Sequence, residues 1–424
     1  MRLYKEFKRV LILGGVPGWM LLGYYVIKIA FARTKSDMAA VDGTAIIYAA
    51  YALGAGMYCF HNLTKDSFSR FFLKKTMGKT CILWFVLYTI LCALSALWSP
   101  ILPLSGYRAL ECMGMLLLNA AVIKNLIKNL DTKGIMLWSV TYAFVMMTFT
   151  AISYAKTGWS AMLYALQFPS TIFFYLAFYY APKKIMKYPM LITAILARST
   201  TGYLGMAAGL CSFMFGQKKY RILGWIIVLG VGISIATVGI EDVLNNTVFA
   251  AKGGAFENGK INEEKTSGRT RLWGPAIEAV IADGKEWYGY GFVAGETMFV
   301  QNVIGGQVIG MHNGFLSAFV GTGYIGLLFF CLFMLGYART AFFSPIPKQY
   351  KALLIATFCC VFIHTIANPG LGFRVYGTWM PAMYFVMLTA GLNIKYRYMR
   401  TYIPPYNIIV ENKNRMKVQI QKEK

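Results

Sequence analysis

Long apolar stretches separated by short basic segments recur along most of the chain. Most stretches hold about 18 to 22 residues, which is enough for an α-helix to cross the hydrocarbon core of a bilayer, whereas the seventh, at 188–197, is too short to span alone. The pattern therefore predicts an all-α polytopic membrane protein with about twelve transmembrane helices. The predicted crossings cover residues 10–31, 40–60, 80–98, 103–123, 134–155, 160–181, 188–197, 200–216, 222–240, 313–338, 350–367 and 377–394.

The distribution of basic residues predicts the topology. If the N-terminus is cytoplasmic, 29 of the 42 Lys and Arg residues fall in the terminal segments and in alternate loops, all on the cytoplasmic side. Lys and Arg are enriched in cytoplasmic loops of membrane proteins. Both termini are therefore predicted to be cytoplasmic. The domain prediction is a first bundle at 1–240, an extracytoplasmic loop at 241–311, a second bundle at 312–394 and a basic cytoplasmic tail at 395–424.

Composition supports the membrane class and excludes several others. The chain is 57% hydrophobic and only 14% charged, against about 25% charged in soluble domains. The net charge of +25 would suit a nucleic-acid partner. However, the enrichment of basic residues in the predicted cytoplasmic segments explains most of this charge, and it also attracts anionic membrane lipids. We therefore expect no nucleic-acid partner. The eight cysteines show no metal-ligand or disulfide spacing, and no nucleotide-binding loop occurs.

The predicted outer loop contains one amphipathic segment, "RLWGPAIEAVIADG". Its apolar residues share one helical face, and Pro275 suits a first helical turn. We predict a short amphipathic helix on the outer membrane face, preceded by Arg269 and Arg271. The following "YGYGFVAGE" is predicted to be a surface loop with tight turns. The apolar face comprises Leu272, Trp273, Ala276, Ile277, Val280 and Ile281.

Several polar groups gather at the predicted outer side. Arg198 separates two short apolar segments, and a cation at a helix break can form an anion site at membrane depth. Arg269 and Arg271 come just before a helix start, where free backbone N–H groups suit phosphate. His312 and Asn313 open an apolar helix, and a histidine there can accept a proton from a hydroxyl. Each residue also has a simpler interpretation. For Arg198 it is a position at the lipid interface, for Arg269 and Arg271 a solvated loop charge, and for His312 packing at the interface.

His364 and Arg374 flank "TIANPGLGF" near the predicted outer end of the eleventh crossing. Helix packing and anchoring explain these two residues without a functional role. Substrate binding is the alternative, because ionisable groups inside membranes are costly and therefore candidates for function. Glu111 lies within the fourth crossing, and the sequence suggests no role for it.

Three segments together resemble the O-antigen ligase and polymerase family. "HNGFLSAFVGTGYIGLLFF" is similar to the family's histidine-leading helix. "TSGRTRLWGPAIEAV", followed by "GYGF", resembles its outer arginine segment. "LARSTTGYLG" resembles its serine-arginine-glycine stretch, with Ala197 in place of the serine. The resemblance covers residues 188 to 340.

The resemblance implies a glycan transferase of the bacterial cytoplasmic membrane that faces outward and needs no metal or other cofactor. The donor would be a saccharide on undecaprenyl pyrophosphate, and the acceptor would be a saccharide or a lipid-linked saccharide. By match, Arg198 and Arg269 would hold the pyrophosphate and His312 would meet the acceptor hydroxyl. Asn313, Arg271, Arg374 and His364 are further candidates for substrate binding.

Two alternatives stay open on the sequence. A repeat-unit polymerase and an O-antigen ligase are not separated, although the modest outer loop slightly favours polymerisation. The other alternative is a flippase for lipid-linked oligosaccharides. A transporter is expected to show internal repeats and midplane charges, whereas the charges here gather at the predicted outer face.

Overall fold

The structure is a computed structural model that describes part of the 424-residue chain. The described residues are 12, 14–30, 43–155, 256–257, 260–261, 269–297, 311–367, 370–372, 375 and 379–398, with isolated positions between 207 and 215. Their helices are α1 (Gly15–Ala30), α2 (Gly43–Thr64), α3 (Ser67–Lys79), α4 (Ile82–Leu94), α5 (Leu102–Asn129), α6 (Thr132–Ala155), α7 (Arg269–Ala282), α8 (Gly314–Phe343), α9 (Lys348–Ala367) and α10 (Trp379–Tyr398).

The described residues are almost entirely helical, and they include several membrane spans. Five helices are long and apolar enough to cross a bilayer, or six if the bent pair α3 and α4 forms one span. The exception is a two-residue ladder that pairs β1 (Phe256–Glu257) with β2 (Lys260–Ile261). These spans confirm the polytopic membrane class. The crossings predicted between 160 and 240 lie outside the described residues, apart from isolated helical positions near 211.

Helix contacts define two ends of the bundle. At the Lys124 end, Lys124 Nζ donates to the Asn62 carbonyl at 3.0 Å, and Lys395 Nζ donates to the Leu130 carbonyl at 2.7 Å. The end of α2, the end of α5 and the end of α10 therefore meet there. At the opposite end, which we call the Met311 end, α4 finishes, α5 begins and α8 begins. The predicted topology requires this grouping of helix ends.

The predicted crossings leave residues 61–79 as a cytoplasmic loop. This prediction is wrong, because α3 occupies most of the segment. Asp66 caps α3 by accepting a hydrogen bond from the Ser69 backbone N–H at 2.7 Å, and this bond lowers the pKa of Asp66. Ser69, Phe72 and Thr76 are buried at helical spacing, while Arg70 is exposed. The helix is therefore amphipathic. It meets α4 at an angle of 85°.

The assignment of the two ends to membrane sides gives a topology prediction. A reporter fused after residue 130 or 220 should report the cytoplasm, and one near residue 260 should report the outside. The physical reason is the bias of Lys and Arg toward cytoplasmic loops. A cytoplasmic signal at residue 260 would contradict the predicted outward site. Alkaline phosphatase and a fluorescent protein, fused at each point, provide the paired measurement.

Candidate active site

Helix α8 is broken near the Met311 end, and another chain segment fills the break. Gly323 has φ 65° and ψ −164°, which interrupts the helical hydrogen-bond ladder. The backbone N–H groups of Tyr290 and Gly291 donate to the carbonyls of Val320 and Gly321 at 2.8 and 2.9 Å. In return, Tyr324 N–H donates to the Glu286 carbonyl at 2.7 Å. We call residues 286–292 the wedge segment.

The wedge segment requires glycine at the points of closest approach. A Cβ on Gly289 would lie 2.5 Å from the Thr322 nitrogen, and Gly289 also has φ 71°. A Cβ on Gly323 would lie 2.2 Å from the Trp287 carbonyl carbon. Gly291 and Phe292 are buried. The prediction of a surface loop is therefore wrong for this part, because its backbone packs directly against backbone of α8.

Replacing Gly323 with alanine should destabilise the protein by about 2 kcal/mol or more, because the new methyl group collides with backbone at a left-handed position. Gly54→Ala is the matched control. Gly54 lies in α2, and a Cβ there meets nothing within 4 Å, so alanine should be neutral or slightly stabilising. Thermal unfolding of both variants in the same detergent tests this expectation. Equal melting temperatures would contradict the wedge arrangement.

The N-terminal helices hold the wedge segment from the other side. Ser95 Oγ accepts a hydrogen bond from the Phe292 N–H at 2.9 Å, and Ser105 Oγ donates to the Phe292 carbonyl at 2.5 Å. Trp98 Nε1 donates to the Tyr288 carbonyl at 3.2 Å. Residues in the first third of the chain therefore support the wedge segment.

Helix α7 packs on α8 through one side only. Ala276 and Val280 are fully buried with Phe319 and Val320, whereas Ile277 and Ile281 stay exposed. The described part of the apolar face of α7 is thus divided between protein contact and an exposed edge. Tyr290 of the wedge segment contacts the end of this helix. Its Oη donates a hydrogen bond to Oδ2 of Asp283, the residue that follows α7. Burial and the nearby Asp283 carboxylate raise the pKa of Tyr290.

The predicted start of α7 was wrong by several residues. The helix begins at Arg269, so Arg269 and Arg271 lie in its first turn rather than before it. Pro275 accordingly lies inside the helix and not at its start. The apolar pattern begins only at Leu272, so it contains no signal for the preceding polar turn. Arg269 therefore belongs to the helix N-terminus itself, and the first backbone N–H groups of an α-helix have no partner within that helix.

His312 lies in a tight turn at the mouth of α8. Its φ of 51° is in the left-handed region, which is uncommon for a residue other than glycine. Asn313 caps the helix, because its Oδ1 accepts from the N–H groups of Phe315 at 2.9 Å and Leu316 at 3.1 Å. The predicted helix start is confirmed. His312 is half-buried.

A buried carboxylate stands behind this turn. Glu296 is fully buried, and its Oε1 accepts hydrogen bonds from the Met311 N–H and from Ser317 Oγ, the latter at 2.9 Å. The other backbone group of Met311, its carbonyl, accepts from Trp273 Nε1 at 2.9 Å. Side chains from two different segments therefore fix the residue that precedes His312. Sequence reasoning missed Glu296, because a single acidic residue in a glycine-containing segment gives no pattern.

A buried ion pair lies in α5 near the same end. Arg108 Nη1 donates to Glu111 Oε2 at 2.8 Å and to the Tyr107 hydroxyl at 2.8 Å. Tyr24 Oη of α1 donates to Glu111 Oε1 at 2.7 Å. The sequence predicted no role for Glu111 and overlooked Arg108. Their i, i+3 spacing within an apolar helix is the signal that indicates such a pair.

The other predicted site residues are placed only in part. Arg198 and Arg374 lie outside the described residues, and for Arg269 and Arg271 the backbone alone is described. His364 is 1% exposed on α9, which agrees with the packing interpretation. Within the part of the chain that the structure describes, no group of three His, Cys, Asp or Glu residues is placed to hold a metal ion.

The described helices and the polar groups at the Met311 end define an integral membrane protein with a histidine turn at one end of its bundle. Residues 185–331 match the family model described as O-Antigen ligase, about a third of the chain. The match confirms the resemblance found in the sequence, and it includes α7, the wedge segment and the first half of α8. The comparisons with curated proteins and with solved structures each find no match.

Proposed function

We propose that the protein is a membrane glycosyltransferase of cell-envelope polysaccharide assembly. It transfers a glycan from an undecaprenyl-pyrophosphate donor to a sugar hydroxyl on the outer face of the bacterial cytoplasmic membrane. The observation that carries this proposal is the family match at residues 185–331, which includes Arg198, Arg269 and His312. The half-buried position of His312 at a helix mouth supports it, because a histidine that is not fully enclosed by protein can meet an acceptor.

The proposed chemistry is a displacement at the anomeric carbon of the donor sugar. The acceptor oxygen bonds to that carbon as the bond from carbon to pyrophosphate oxygen breaks, and the hydroxyl proton passes to His312. Undecaprenyl pyrophosphate leaves with its charge neutralised by Arg198 and Arg269. Arginine suits this role because its planar fork binds phosphate oxygens and stays charged.

The remaining candidates have supporting roles in the proposal. Arg271 and Arg374 would contact the donor or the acceptor. Asn313 is best assigned to shaping the turn, because its Oδ1 already accepts two backbone N–H groups. Its side-chain NH₂ remains a possible donor to a sugar oxygen. For His364, burial on α9 favours a structural role over direct substrate contact.

Purified protein supplied with an undecaprenyl-pyrophosphate-linked oligosaccharide tests the proposal. A ladder of products would identify a repeat-unit polymerase, which we favour slightly. A single shifted acceptor band would identify a ligase. Absence of transfer, combined with movement of the lipid-linked sugar across a vesicle membrane, would identify a flippase and contradict the proposal. His312→Asn protein is the control for glycan transfer that does not depend on the site.

A further inference from the structure

The turn that bears His312 is held in a conformation that its own sequence does not favour. A non-glycine residue at positive φ costs on the order of 1 kcal/mol or more. Such a conformation persists only when surrounding groups determine it. At His312, φ is 51°. The groups that determine this turn should therefore be visible as specific contacts to the residues beside His312.

Two contacts of this kind converge on one carboxylate oxygen. Glu296 Oε1 accepts from the Met311 N–H, one residue before His312, and from Ser317 Oγ, in the first turn of α8. The same atom thus links the chain entering the turn with the helix leaving it. Trp273 fixes only the Met311 carbonyl, and Asn313 fixes only the helix start. Glu296 therefore bonds on both sides of the turn.

Burial makes this arrangement rigid. Glu296 and Met311 are both 0% exposed, and Ser317 is 2% exposed. Because these residues are buried, water does not compete for the hydrogen bonds between them. Because Glu296 follows the wedge segment within a few residues, the same stretch of chain fills the break in α8 and fixes the turn before it.

We propose that Glu296 is the positioning residue for His312: its Oε1 holds the Met311–His312 turn so that the imidazole meets the acceptor hydroxyl. This inference rests on the proposed function, because it assigns His312 the role of proton acceptor. Glu296 acts through hydrogen-bond geometry and not through its charge. A misplacement of about 1 Å at a catalytic group can lower turnover by about 100-fold.

Two substitutions separate geometry from charge. Glu296→Gln keeps an acceptor oxygen at the same distance from the backbone and removes the charge. Glu296→Asp keeps the charge but withdraws the oxygen by about the length of one C–C bond, roughly 1.5 Å. We expect the kcat of Glu296→Gln to stay within about 3-fold of wild type. We expect Glu296→Asp to lose about 100-fold in kcat, with the KM values for donor and acceptor unchanged.

The measurement is steady-state transfer by purified full-length protein, normalised to the folded fraction from size-exclusion chromatography and thermal unfolding. Ser317→Ala is the matched control, because it removes one donor and leaves the Met311–Glu296 bond in place; its kcat should stay within about 3-fold. A Glu296→Asp protein as active as wild type would overturn the inference. So would a Glu296→Gln protein as impaired as Glu296→Asp.

The outcomes also separate this inference from the proposed function. If wild-type protein transfers no glycan, the proposed function fails, and the inference fails with it because it rests on that function. If wild type transfers glycan and His312→Asn does not, the proposed function holds, and the order of the two Glu296 variants alone decides the inference. If either variant does not fold, the kcat values of Glu296→Ala and Ser317→Ala are compared instead. Only Glu296→Ala should then lose about 100-fold in kcat.

Discussion

Replacing His312 with alanine should lower the turnover of glycan transfer by about two to four orders of magnitude, the usual contribution of a general base. The acceptor hydroxyl would lose the group that takes its proton. Only neutral imidazole can accept a proton, so the kcat of wild-type protein should also fall at acid pH. The measurement is the initial rate with a lipid-linked donor across a pH series.

The backbone at His312 calls for a second variant. Alanine at φ 51° adds strain that could lower activity without any loss of chemistry. Asparagine tolerates the left-handed region better than most residues and is not a base. His312→Asn should therefore be as inactive as His312→Ala while folding like wild type. Near-normal glycan output from well-folded His312→Asn would assign the residue to the turn and not to the reaction.

Replacing Arg269 or Arg198 with alanine should lower transfer by about 10²-fold or more, because each would neutralise charge on the leaving diphosphate. Arg269 occupies the first position of α7, where the helix N-terminus adds free N–H groups for the same anion. Lysine should rescue poorly, because it keeps the charge and loses the two-donor fork. The measurement is the transfer rate of the purified lysine variants.

Arg271→Lys is the control for this clamp. It lies two positions after Arg269 in the same helical turn, and positions two apart do not share a helix face. Its effect should therefore be smaller. Full activity in both Arg198→Lys and Arg269→Lys would exclude an arginine-specific clamp. A parallel series with EDTA tests the expectation that no metal takes part, and loss of wild-type activity in EDTA would contradict it.

The sequence predicted the apolar helices well because apolar length and periodicity are strong local signals, but it missed the more polar helix α3. Each predicted crossing that falls within the described residues coincides with a helix, and α8 begins one residue after the predicted start, at Gly314. The side-chain chemistry of Asn313 explains that accuracy, because an asparagine at a helix start is a local capping signal. The existence of α7 followed from its apolar spacing in the same way.

The site was less predictable because long-range contacts form it. The wedge segment pairs backbone with backbone, so the only trace in its sequence is small residues such as Gly289 and Gly291, which are also common in ordinary turns. Glu296 acquires its place from Met311 and Ser317, 15 and 21 residues away in sequence. Neither pairing leaves a periodic pattern. Arg108 and Glu111 were the exception, since their spacing was visible and was overlooked.

The break in α8 has a consequence for hydrogen exchange. Tyr290 and Gly291 donate into α8, while Tyr324 and Ile325 donate back to the wedge segment at 2.7 and 3.4 Å. These four amides belong to chain segments about thirty residues apart, yet none can be exposed to solvent deuterium by fraying of a single helix. Separation of the two segments would open all four together, as one cooperative unit with one opening free energy. Peptides covering residues 286–292 and 320–326 should therefore exchange at a common rate. A variant that changes the fit between the two segments should change both exchange rates together.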